Sequence, residues 1–169
     1  NYNKDQYNNI QQNPWGLVHA NQSDRNRTTA TGHVDLKFNI CDGLTFTTTN
    51  GIDFNDYKWY SLASKTVNGT TNMGNNNAQV MGLQSTNNLT YQHSWGDHNL
   101  TATGVWEATS RETRSMGIEG KDLAQEFVGY WNVKNAATRD ASNGYSKWTM
   151  LSGVARVMYN YADRYMLTG

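Results

Sequence analysis

Polar and apolar residues alternate along most of this chain. From Ala30 to Ile40 the even positions are Ala30, Gly32, Val34, Leu36, Phe38 and Ile40, and the odd ones are Thr31, His33, Asp35, Lys37 and Asn39. A period of two, with one face apolar and the other polar, marks a half-exposed β-strand. Cys41-Asp42-Gly43 then predicts a hairpin turn, with Gly43 free to take positive φ. The next run puts Leu44, Phe46, Ile52 and Phe54 on one face, interrupted by Thr48 and Asn50, and Thr45, Thr47, Thr49, Gly51 and Asp53 on the other. In a third run Met81, Leu83, Leu89, Tyr91 and Trp95 oppose Gln84, Thr86, Asn88, Thr90 and Gln92, and Gly96-Asp97-His98 marks a turn. A fourth sets Leu100, Ala102, Gly104, Trp106 and Ala108 against Thr101, Thr103, Glu107 and Thr109, with Val105 breaking the polar face. The fifth, least clean, has Leu151, Gly153, Ala155, Val157, Tyr159 and Tyr161 against Ser152, Arg156 and Asn160. Ala162-Asp163 turns the chain into a last strand beginning at Arg164.

The pattern predicts an antiparallel meander with strands near residues 28–40, 44–56, 79–95, 99–110, 147–161 and from 164 onward. Its connections fall into two classes. Those near Asp42, Asp97 and Asp163 are short, while residues 55–78 and 110–147 make long ones. Successive connections of a meander alternate between the two ends of the sheet, so the short turns share one end and the long loops the other. Short periplasmic turns and long extracellular loops have this asymmetry in transmembrane β-barrels, and strands of this length suit a tilted crossing. The long segments are polar and turn-rich, as in the run from Asn68 to Asn77. Leu123, Phe127 and Trp131 recur every four residues, which leaves open whether residues 121–135 form a short helix.

Composition supports strands. Asn, Thr, Ser, Gly and Tyr abound, proline occurs once, and helix formers are scarce. Fourteen basic residues balance fourteen acidic ones, so no strong field points to nucleic acid. The many aromatics and the zero net charge argue against disorder. A lone cysteine, Cys41, excludes an internal disulfide. No apolar run approaches the ~18 residues of a spanning helix, so any membrane crossing is made by strands.

Several of these runs resemble the SusC/RagA family of TonB-dependent nutrient importers. Asn13-Pro14-Trp15-Gly16-Leu17-Val18 is similar to the family's Asn-Pro-aromatic-x-Leu-Leu segment. Asp42-Gly43-Leu44-Thr45-Phe46 and Gly51-Ile52-Asp53-Phe54 match its Gly-Leu-Thr-Phe and Gly-Val-Asp-Tyr elements. Leu89-Thr90-Tyr91 before Gly96-Asp97-His98 resembles its next hairpin, and the run from Val157 to Thr168 its tyrosine-rich hairpin ending in Asp-Arg-Tyr-Leu-Leu-Thr. The resemblance covers the chain from Asn13 onward, with divergent long loops. It implies that residues 1–169 are a segment of a barrel of about 22 strands, all-β, an antiparallel up-and-down meander, with the plug domain and the TonB-contacting segment absent. It also implies the outer membrane of a Gram-negative bacterium, import of oligosaccharides or peptides, a SusD-like surface lipoprotein and TonB as partners of the parent protein, and outer-membrane lipid around the barrel. The reading competes with a soluble β-sandwich carbohydrate-binding module, which would bury the apolar face against a second sheet.

No catalytic constellation stands out, and the chain reads as neither an enzyme nor a cofactor binder. His93 and His98 flank a turn without the cysteine or carboxylate pattern of a zinc site, so no metal is expected. His19 and His33 stand apart. Glu107, Glu112 and Glu119 read as lumen or loop acids rather than a glycosidase pair. The Asn-x-Ser/Thr triplets at Asn21, Asn26, Asn68, Asn88 and Asn99 follow from composition. Tyr91, Trp95, Tyr159, Tyr161 and Tyr165 gather at the short-turn end, where an interfacial aromatic girdle is expected. Tyr57, Trp59, Tyr60, Tyr130, Trp131, Tyr145 and Trp148 lie at the long-loop end and are the candidates for ligand or partner contact; anchoring the outer girdle or packing the loops is the competing role for each.

Overall fold

The computed structural model describes Val18 and residues 20–169, so most of the Asn13–Val18 motif, and His19, lie outside the described residues. Six strands pair in sequence order in one antiparallel sheet: β1 (Gln22–Cys41), β2 (Leu44–Ala63), β3 (Asn72–Trp95), β4 (His98–Leu123), β5 (Ala136–Tyr161) and β6 (Tyr165–Thr168). The meander and its short turns are as the alternation predicts. Gly43, at φ 79°, shows why the first turn needs glycine: a Cβ there would stand 2.1 Å from the carbonyl oxygen of Gln92 on β3. That approach is fixed by the Gln92 amide, which donates to the Gly43 carbonyl at 2.7 Å. The third turn has no glycine. Ala162 and Asp163 both hold φ 53°, and the turn is kept by bonds from Ala162 N to the Asp97 carbonyl (2.7 Å) and from Asn160 Nδ2 to Asp163 Oδ1 (2.7 Å).

Strand length departs from expectation. Residues 56–78 and 111–146, read as irregular polar loops, are mostly strand: β3 runs for 24 residues, and β4 and β5 for 26 each. A membrane crossing needs about 9–11. Period-two hydrophobicity marks a strand only where one face is apolar; where both faces meet water, ladder hydrogen bonding continues without that mark. The true connections shrink to residues 64–71, with a helical turn at Lys65–Asn68 (α1), and residues 124–135, which form two 3-10 segments, Glu126–Trp131 and Val133–Asn135. The periodicity of Leu123, Phe127 and Trp131 is thus not an α-helix. Gly129, at φ 63°, kinks the first segment.

The chain divides into two compact units. One takes the described residues up to Thr29 with Asn55–Gln79 and Thr113–Ser146; the other is Ala30–Phe54, Val80–Glu112 and Lys147–Gly169. The second unit carries the apolar face. Val34, Leu36, Phe38, Leu83, Leu89, Trp106 and Val157 all remain exposed there. Phe38, Phe46 and Trp106 form a row of stacked rings on it, with centroid spacings of 6.2 and 5.8 Å. The polar interruptions satisfy one another, as in Asn50 Nδ2 to Thr48 Oγ1 (3.1 Å) and Asn87 Nδ2 to Ser85 Oγ (3.3 Å). On the opposite face Thr49 bonds Asp35 (2.6 Å), and Gln84 and Thr86 converge on Glu107 (3.1 and 3.2 Å).

At the short-turn end of this unit the expected girdle is a continuous ladder of rings. Tyr91, His93, Trp95 and His98 stack in turn at 6.1, 5.4 and 5.4 Å; His98 lies 4.7 Å from Tyr161, which stacks on Tyr165. His98 Nδ1 and the Tyr159 hydroxyl are 2.5 Å apart. The histidines therefore belong to the girdle. From Leu44 to Phe54 the strand advances about 34 Å, and a tilt of ~40° turns this into about 26 Å of height, close to the ~25 Å apolar band of outer-membrane barrels. The next residues of that face, Asp56 and Lys58, are an ion pair at 3.3 Å. The alternation, the band height and the girdle together assign the apolar face to lipid and the polar face to the lumen.

Leu36 lies midway along this band, so Leu36→Arg should destabilise the intact barrel by about 2–4 kcal/mol in lipid vesicles. Lys37→Arg, on the lumen side, should stay within about 0.5 kcal/mol. Denaturant titration of both variants checks the assignment, and the reverse order would exchange the faces.

Candidate ligand-facing site

In the first unit β1 and β2 continue their alternation with larger side chains. On the lumen face Asn55 Oδ1 accepts from Arg27 Nη2 (2.8 Å), Arg27 Nε (3.3 Å) and Thr29 Oγ1 (2.9 Å). Arg27 also lies over the Tyr57 ring, 5.1 Å from its centroid, a cation–π contact. Tyr57 and Trp59, two apart on one strand, fall on the same face and stack nearly parallel, at 5.7 Å and 6°. Beside Trp59 opens a depression of about 460 Å³ lined by Arg25, Trp59, Asn76, Ser115, Gly117 and Ser142 among others. Its floor is low because the residues there are small. A Cβ at Gly117 would stand 2.6 Å from Asn76 Oδ1 and 2.8 Å from Ser142 Oγ.

On the other face the 124–135 connection folds down over the strands. Leu62, Met73, Leu123, Tyr130 and Ala136 are buried together, with Tyr60 and Val133 packed against them. Tyr60 stacks on Tyr130 at 5.4 Å and meets Trp131 at 4.9 Å. The Tyr130 hydroxyl donates to Asp24, and this bond, with desolvation and the carboxylate charge behind it, pushes the phenol pKa up.

One carboxylate ties the two connections together. Glu126 accepts from Thr71 Oγ1 (2.6 Å), Ser64 Oγ (2.7 Å) and the Lys65 amide (2.8 Å). The Thr71 bond does most to hold its pKa below the usual glutamate value; the Ser64 and Lys65 bonds add to this, against an opposing desolvation. Thr71 is 1% exposed, the most enclosed of the unit's described residues.

The sheet has counterparts of known identity. No protein-family model matches the sequence. The chain is 25% identical over 161 residues to "TonB-dependent receptor P3" of Formosa agariphila, an alignment covering 92% of this chain and 16% of that protein. Among solved structures, the RagAB peptide transporter superposes with a TM-score of 0.76 at 15% identity, over 86% of this chain and 17% of that one. The RagAB peptide importer in its closed-closed state gives 0.74 at 15%, over 89% and 17%. The sheet thus has the fold of a segment of the RagAB transporter, and the sequence is similar to part of a TonB-dependent receptor. The chain spans about a sixth of the length of the proteins it matches.

Within this segment the aromatics proposed for contact separate into three groups. Tyr57 and Trp59 form the lumen-side stack. Tyr60, Tyr130 and Trp131 form the loop cluster, with Tyr130 inside its core. Tyr145 and Trp148 stand exposed on β5. Sequence reasoning missed Arg25, Arg27 and Glu126. Arg27 and Tyr57 meet through a pairing register that no local pattern announces. Glu126 reaches partners 55 to 62 residues away, which only the folded loops bring near.

Glu126→Ala should cost the connections about 1–3 kcal/mol of local stability, since it leaves the Thr71 and Ser64 hydroxyls and the Lys65 amide without their acceptor. Amide exchange should accelerate at residues 64–71 and 124–135 and not in the apolar band. A depressed folded-state pKa stabilises above the unfolded value and is lost as pH falls through the folded one. Wild-type exchange at these residues should therefore rise as pH drops below about 4, after correction for intrinsic rates. The Glu126→Gln variant should lack that step.

Proposed function

We propose that the parent protein is an outer-membrane TonB-dependent importer of oligosaccharides or peptides and that residues 1–169 are one segment of its barrel. The observation that carries this is the two-faced hairpin: an apolar band about one bilayer thick, girdled by rings at the turn end, and polar strands that continue past Asp56 and Lys58 into ordered connections. A carbohydrate-binding sandwich would have to cover the apolar face with a second sheet. The likeness to "TonB-dependent receptor P3" and to the RagAB barrel supports the reading. In it the hairpins ending at residues 64–71 and 124–135 face the cell exterior. They would meet incoming ligand and a SusD-like surface lipoprotein, while TonB engages parts of the parent protein outside this chain. Tyr57 and Trp59 are the leading ligand contacts, because their rings lie on the lumen face and outside the loop core. Tyr60, Tyr130 and Trp131 shape the loop that a lipoprotein would cover, while Tyr145 and Trp148, three residues apart on β5, turn to opposite faces of the sheet.

The topology is open to a direct test, because Cys41 is exposed at a predicted periplasmic turn. A membrane-impermeant thiol reagent added to intact cells should leave Cys41 unlabelled until the outer membrane is permeabilised. Phe127→Cys, whose position is 84% exposed in the outer connection, should label at once. The opposite pattern would invert the barrel. Deleting the parent gene should abolish growth on the imported nutrient and leave growth on its monomers intact.

A further inference from the structure

We infer that the lumen-face depression around Arg25 and Trp59 is a subsite for an acidic saccharide, one carrying carboxylate or sulfate groups. It rests on the importer reading above and names the ligand chemistry within it. Arg25 is the one charged residue among the described residues lining the depression. It is exposed, and its guanidinium has no hydrogen bond or ion pair within the described residues. Arg27, two residues on, is by contrast committed to Asn55 and the Tyr57 ring. Arg25 thus presents a planar donor fork of the kind that takes carboxylate or sulfate oxygens in pairs.

Trp59 supplies the second element. Its indole stacks on Tyr57, and the residue lines the depression. A flat, rigid ring wall suits the C–H face of a pyranose. The floor adds the Asn76 amide and the Ser115 and Ser142 hydroxyls around Gly117, short hydrogen-bonding groups matched to sugar hydroxyls. A peptide finds less here, because strand backbone groups in the interior of a sheet are spent on the ladder and offer no main-chain pairing. The volume of about 460 Å³ falls among small-ligand sites, which run from ~300 to ~1,000 Å³. Glu119 and Asp140 alternate onto the same face two residues away from Gly117 and Ser142 and do not line the depression, so the anionic group is directed to Arg25.

The test uses the full-length transporter in detergent, with binding read by calorimetry. Four probes of matched length are compared: oligogalacturonate, a sulfated galacto-oligosaccharide, a neutral malto-oligosaccharide and a glutamate-rich peptide. An acidic saccharide should bind tightest, and whichever of the first two wins identifies the anionic group. Arg25→Gln should weaken that binding about tenfold or more and leave any neutral-saccharide binding unchanged, while Arg25→Lys should recover part of the loss. Trp59→Ala should weaken acidic and neutral saccharides alike. Gel mobility before and after heating confirms that each barrel is folded. The inference is overturned if neither acidic saccharide binds, if the peptide binds tighter, or if folded Arg25→Gln and Trp59→Ala bind within about twofold of wild type. If uptake still depends on the parent gene in that case, the importer reading stands without it; if uptake does not, both fall.

Discussion

A backbone N–H or C=O left without a partner in hydrocarbon costs several kcal/mol, because no water is there to replace the lost bond. For a chain that crosses the bilayer without an apolar helix, the antiparallel ladder is the arrangement that avoids this cost residue by residue. The six-strand meander meets the condition through turns that reverse the chain in two or three residues. Those turns need left-handed backbone, at Gly43, Gly96, Ala162 and Asp163. Glycine bears it without strain. At Ala162 and Asp163 the conformation is less favourable, and hydrogen bonds to Asp97 and from Asn160 hold it in place.

Once the ladder is fixed, the pleat decides the chemistry of each face. Between the girdle and the Asp56–Lys58 pair, the outward positions take the residues that lipid tolerates, with rings at the boundary. The exceptions, Thr48, Asn50, Ser85 and Asn87, bond along their own strands and so lower the desolvation penalty of their amides and hydroxyls. Beyond that pair the same alternation is put to another use. In the first unit the outward side is closed by Tyr60, Tyr130 and the 124–135 connection, and Glu126 fastens that closure to Ser64, Lys65 and Thr71. The lumen side is left open, with the Tyr57–Trp59 stack and Arg25 beside small residues. An open face of this kind can hold a ligand without a deep pocket, since it rises from strands and not from a mobile loop.

The sequence determined by itself the strands of the band, their order, the faces they turn to lipid and lumen, the placing of the short turns and the identity of the girdle aromatics. Leu36, Phe38, Leu83 and Trp106 could be assigned in advance because lipid imposes a period of two that local composition records. The reach of β3, β4 and β5 past the band was not legible, since outside the band no lipid imposes a period of two, the cover comes from a distant connection, and the Asn- and Thr-rich run reads as loop. Nor was the site. Arg27 over Tyr57, Gly117 between Asn76 and Ser142, and Glu126 beneath Thr71 are contacts across strands and between hairpins. Tertiary structure decided them, because pairing register and loop closure bring together residues that no interval along the chain relates.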